Sequence, residues 1–84
     1  MVTILYFARL RESLGRSSEQ LELPAGVRDI AGLRQWLASR GGAWAEALGG
    51  GKNVRAAVNQ SMAGGDEPVK SGDEIAFFPP VTGG

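Results

Sequence analysis

The chain contains no cysteine and no histidine. Without cysteine there are no disulfides and no thiolate nucleophiles, and without either residue the usual zinc sites are gone. The missing histidine also removes the commonest general base near neutral pH. A catalyst made only from this chain would rely on carboxylates, lysine, arginine or hydroxyls, so self-contained catalysis is disfavoured. An excess of charge of one sign is lacking too. Nine basic residues balance nine acidic ones, and only Lys52 and Lys70 are lysines. No basic block could neutralise a row of phosphates, which argues against nucleic acid as a partner. No apolar run approaches the roughly 20 residues that span a bilayer. The start MVTILYFARLRE lacks the charged opening and cleavage site of a signal peptide. A cytoplasmic protein with no membrane role is expected.

What is present suits one small domain. Eighty-four residues that are 43% hydrophobic can fold, although a domain of this size buries only roughly 60% of the surface its unfolded chain exposes. Met1 to Ala8 is apolar, β-branched and aromatic, and reads as a strand. Val2, Ile4 and Tyr6 share one face of it, Leu5 and Phe7 the other. Arg9 to Gly15 suggests a helical turn ended by glycine. Glu19 to Leu23 alternates, with Leu21 and Leu23 inward, and a hairpin through Gly15 to Ser18 would pair it with the first strand. The main helix is predicted over Ile30 to Arg40, with Asp29 as N-cap and Gly41-Gly42 as stop. Ile30, Leu33, Trp36 and Leu37 form its apolar stripe, and Arg34, Gln35 and Ser39 fill the other side. A short second helix over Ala43 to Leu48 is anchored by Trp44 and Leu48. Gly49 to Lys52 is a loop, Val54 to Asn59 a strand, and a short strand or turn surrounds Met62 and Ala63. The last strand runs from Glu74 to Phe78, with Ile75 and Phe77 on one face and Ala76 and Phe78 on the other.

The order β, β, α, then several β describes an α+β sheet gripping one main helix. Ile4, Tyr6, Ile75 and Phe77 are expected to face that helix, which leaves Leu5, Phe7 and Phe78 outside. Two strands that agree on an apolar outer face point to a covering partner. Local patterns elsewhere carry less. GGGK at Gly49 to Lys52 fails the phosphate-loop pattern at both ends, with Glu46 where its first glycine belongs and Asn53 after the lysine. GGDEP at Gly64 to Pro68 is a turn, and Asp66, Glu67, Asp73 and Glu74 read as turn residues and solvated charge.

The segment FFPPVTGG, Phe77 to Gly84, is organised differently. Phe78 precedes proline and is therefore held extended. Pro79 and Pro80 end sheet pairing and stiffen the exit, and Val81 and Thr82 prefer extended backbone. A domain over 1–78 and a projecting tail over 79–84 are expected, the tail reaching roughly 20 Å at about 3.3 Å per residue. Gly83 and Gly84, without Cβ atoms, would pass a narrow channel and leave the terminal carboxylate unhindered.

GDEIAFFPPVTGG (Gly72 to Gly84), with ILYFARLRE (Ile4 to Glu12) and AAVNQ (Ala56 to Gln60), resembles the small sulfur-carrying subunits of molybdopterin synthase over essentially the whole chain. The resemblance implies a ubiquitin-like β-grasp fold, with one or two short helices beside the main one. It implies that the carboxylate of Gly84 is adenylated by a separate activating enzyme that uses ATP, then converted to a thiocarboxylate by a sulfur donor protein. The tail, Pro79, Pro80, Val81, Thr82, Gly83 and Gly84, would enter a large catalytic subunit, in a heterotetramer, and sulfurate a cyclic pterin phosphate to a dithiolene. No cofactor or metal is expected on the chain itself. Phe7, Arg11, Met62 and Phe78 are carried over as the partner interface, Phe7 and Phe78 being outward by parity already and Arg11 and Met62 resting mainly on the resemblance. Other readings are a carrier for thiazole synthesis, a modifier joined through Gly84 to lysines, and an interaction module with an inert tail.

Overall fold

A computed structural model describes residues 1–50 and 53–80. Gly51 and Lys52 of the expected loop, and Val81, Thr82, Gly83 and Gly84 of the tail, lie outside the described residues. The elements are β1 (Val2–Tyr6), α1 (Arg9–Leu14), β2 (Ser18–Leu21), α2 (Ile30–Ala38), α3 (Gly42–Leu48), β3 (Arg55–Val58), β4 (Ser61–Ala63) and β5 (Glu74–Phe78). They form one sheet in the order β2-β1-β5-β3-β4 with the helix α2 against it, an α+β β-grasp. The strands β1 and β5 run parallel at its centre, and all other pairs are antiparallel.

The alternation along β1 and β5 assigns the core. Val2, Ile4, Tyr6, Ile75 and Phe77 are buried and meet Ile30, Leu33 and Leu37 of α2. Each such side chain contributes about 1.5–3 kcal/mol when fully buried. Helix α2 begins where its first amides find acceptors. The Asp29 carboxylate accepts from the Gly32 amide at 2.8 Å, and the carbonyls of Glu67 and Gly65 accept from the amides of Ile30 and Ala31. Gly15, with φ 72°, closes α1, as its position after the helical turn predicts.

Four expectations change. The strand β2 covers Ser18–Leu21, so Leu23 lies beyond it, although both leucines pack on the core. Trp36 is 36% exposed rather than part of the buried stripe, because helical spacing puts it at the side of the stripe formed by Ile30, Leu33 and Leu37, and there the Arg40 guanidinium lies 5.0 Å from its ring centroid. Arg34, expected on the open side of the helix, is half-buried and donates to the carbonyls of Leu48 (2.8 Å) and Gly49 (3.1 Å), which end α3. Asp73, expected as solvated charge, is only 5% exposed. Its carboxylate accepts from the Asn59 side chain (3.0 Å) and the Lys70 amide (2.9 Å), which hold it below the usual carboxylate range against the effect of burial.

Candidate functional site

The parallel pairing of β1 with β5 builds the site. Because Tyr6 pairs with Phe77, the two strands finish at the same edge of the sheet, and the Phe7 amide donates to the Phe77 carbonyl at 3.2 Å. Phe7 and Phe78 are thereby neighbours on the face away from α2. The register extends that face. Leu5 lies beside Ala76, Ala76 beside Ala57 and Ala57 beside Met62, an apolar row across four strands. Of the residues expected at a partner interface, Phe7 is 47% and Met62 63% exposed, Arg11 is exposed on α1, and Phe78 is half-buried. Phe7 and Phe78 lie at the tail's end of the sheet, whereas Met62 lies across the outer face on β4. Pro79 and Pro80 are half-buried along a groove with Arg9, Leu10 and Ala47.

Phe7 is presented by an unusual turn. The Leu10 amide donates to the Phe7 carbonyl at 3.1 Å, and Ala8 between them has φ 54° and ψ −128°. This is the first central position of a type II′ turn, where glycine is favoured. The alanine carries strain that β1 and α1 hold in place on either side. A second such site is the β3–β4 hairpin, where Asn59 (φ 50°) and Gln60 (φ 71°) make its two-residue turn.

The inner face, where the edge strand β2 meets the end of β1, carries a polar cluster that sequence reasoning missed. Glu19 pairs with Ile4 in register and so points to the inner face. There its carboxylate accepts from the Tyr6 hydroxyl at 2.8 Å and from both terminal nitrogens of Arg40 at 2.9 and 3.0 Å. Arg40 also lies 4.4 Å from the Trp44 ring centroid, and Tyr6 meets Trp44 edge-on at 5.6 Å. Burial would raise the Glu19 carboxyl, but hydrogen bonds from Arg40 and Tyr6 and the nearby charges bring it below its ordinary value. Burial, and next the bond to Glu19, push the Tyr6 phenol far up. The signal was available, because Glu19 shares the parity of Leu21 and an acid on an inward position needs partners. All its partners are satisfied internally, so this cluster is a latch between β2 and the end of α2.

Among the described residues there is no helix long and apolar enough to cross a membrane and no group of three or more His, Cys, Asp or Glu that could hold a metal ion. What the described surface offers is an open apolar face beside Pro79 and Pro80.

Comparison with known proteins agrees with that geometry. The sulfur carrier subunit of molybdopterin synthase from Escherichia coli is 45% identical over 84 residues, 100% of both chains. A Pyrococcus furiosus structure named as subunit 1 of a molybdopterin converting factor is 35% identical, with TM-score 0.76 over 95% of this chain and 97% of that one. A Helicobacter pylori structure, a complex of subunits 1 and 2 of the molybdopterin-converting factor, is 25% identical, with TM-score 0.66 over 99% of this chain and 97% of that one. The profile of the ThiS family matches residues 4–84. A whole-length match of this kind, on a β-grasp sheet whose outer face is open and apolar, assigns the chain to the ThiS family of ubiquitin-like proteins, alongside the sulfur-carrier subunits of molybdopterin synthase.

Proposed function

We propose that the chain is the sulfur-carrier subunit of molybdopterin synthase and acts through the main-chain carboxylate of Gly84. The observation that carries this is the full-length identity of 45% to a sulfur carrier subunit. The geometry supports it, because the apolar patch of Phe7 and Phe78 lies beside the root of the tail at Pro79.

A carboxylate is a poor electrophile until it bears a good leaving group. An activating enzyme transfers the adenylyl group of ATP to Gly84 and releases pyrophosphate; the sulfur of a donor protein's persulfide then displaces AMP, and a thiol reductant cleaves the sulfur–sulfur bond to the donor to leave the thiocarboxylate. ATP belongs to that enzyme, and this chain holds no cofactor. The sulfur is nucleophilic without a cysteine, which fits a chain that has none. The outer face then docks on the large subunit through Phe7, Arg11, Met62 and Phe78. The tail from Pro79 to Gly84 enters that subunit's active site, and two transfers convert the cyclic pterin phosphate to the dithiolene. The acid and base groups come from the large subunit. Ordering each tail residue costs roughly 1–2 kcal/mol, and Pro79 and Pro80 reduce that cost by limiting the free conformations. The assembly is a heteromer with the large subunit, and the resemblance implies a heterotetramer.

A chain ending at Gly83 tests the reading. Its circular dichroism and unfolding midpoint should match those of the full chain, while sulfur transfer in the reconstituted synthase is abolished. Full activity from the shortened chain overturns the assignment of Gly84. Intact mass of the protein from its own cell separates the other classes: an oxygen-to-sulfur increase marks a carrier, a ladder of conjugates a modifier.

A further inference from the structure

The charges of this chain are sorted along its strands. β1 and β5 finish at the tail's end of the sheet, and β3, antiparallel to β5, begins there. Arg55 opens β3, is exposed, and lies across from Phe78 in register. Arg9 and Arg11 stand exposed on α1, which follows β1 at the same end, and Arg9 shares a groove with Pro79 and Pro80. The ion pairs among the described residues involve Arg16, Arg40 and Lys70, and none of these three arginines. The acids of this end are Glu12 on α1, Glu46, which lines the groove beside Arg9, and Glu19 at the start of β2, which is taken up by Arg16 and Arg40. The far end holds Asp73 and Glu74 at the start of β5 and Glu67 in a hollow with Asp73, with Lys70 as the cation there, paired to Asp73.

Three arginines around an apolar patch repel one another and form no ion pair within the described part of the chain. An apolar centre with a charged rim is the anatomy of a protein docking surface, and rim charges govern the rate of encounter more than the lifetime of the complex. We infer that Arg9, Arg11 and Arg55 form a cationic rim that steers the chain onto a protein partner bearing carboxylates around the opening that receives the tail. This rests on the docking face proposed above. It adds the charge of the partner's surface and a role for Arg55, whose place on the rim comes from the register of β3 on β5.

Association with the large subunit from the same organism, followed by stopped flow at low and high salt, tests the rim. Arg55→Glu should slow association by about tenfold at low ionic strength, with dissociation changed far less. At about 1 M salt, where the screening length falls to roughly 3 Å, the difference should vanish. Arg55→Lys should restore the wild-type rate, since steering depends on charge. An unchanged rate for Arg55→Glu, or a slowing that persists at high salt, overturns the inference. Phe78→Lys distinguishes its failure from that of the docking face. If Phe78→Lys weakens the complex and Arg55→Glu does nothing, the rim fails and the face stands. If neither matters, both fail.

Discussion

Phe77 and Phe78 are the same residue in adjacent positions of one strand, with different surroundings. Phe77 is fully buried among Ile4, Tyr6 and Leu33, while Phe78 faces away from α2 and is half-buried. Tyr6 and Phe7 repeat the contrast on β1, at 1% and 47% exposure. Both faces of the sheet are apolar at this end, but only one has a helix to cover it. The inner face spends its apolar surface on stability within the chain; the outer face leaves its own open for the partner proposed above. Hydrophobicity alone therefore does not distinguish a core from an interface, and the presence of a covering element does.

Substitutions on the two faces should separate these roles. Phe77→Ala should destabilise the fold by about 3–5 kcal/mol, read from the midpoint of denaturant unfolding. Phe78→Lys should leave that midpoint within about 1 kcal/mol of wild type. Its affinity for the large subunit should fall by about 2 kcal/mol, roughly 30-fold, by calorimetry. Equal stability losses at the two positions would show that the outer face also belongs to the core.

The latch sharpens the contrast from the inner face. Glu19→Ala leaves the Tyr6 hydroxyl and Arg40 without their acceptor, which should cost about 1–3 kcal/mol of stability while partner affinity is unchanged. Its pH dependence follows from the same bonds. The folded carboxyls of Glu19 and Asp73 lie below their ordinary values of 4.5 and 3.8. Their contribution is therefore complete above those values and is lost as pH falls through the lower folded ones. Acid titration of the unfolding midpoint should show the loss below about pH 4.5, shallower in Glu19→Ala. The smallest effect is expected at the strained turn. Ala8→Gly should raise stability by about 1 kcal/mol or less, seen as a higher Tm, because glycine accepts this backbone without steric strain.

Much of this was legible locally. Asp29 as N-cap, Gly15 as helix end and the two parities of β1 and β5 depend on neighbours a few residues away, and those relations are written in the sequence. Trp36 was misplaced because helical spacing says which residues align and not how far the sheet extends beneath them. Asp73 was misjudged, and the partner of Glu19 missed, for a related reason. Their partners, Asn59 and Arg40, are 14 and 21 residues away in the chain, and local parity can show that an acid needs a partner but not which residue supplies it.

The sequence by itself determined the elements, the apolar character of both sheet faces, and a proline-stiffened segment leading to Gly83 and Gly84. Tertiary structure decided which strands are neighbours. Only the parallel pairing of β1 with β5 brings Phe7 beside Phe78, and only the antiparallel pairing of β3 brings Arg55 to the same end. Strand order and register are set by the packing of the whole sheet on α2, because a slip of one residue would turn Ile75 and Phe77 out of the core. The side chains that make up the docking face are drawn together by that packing, from segments separated by most of the chain.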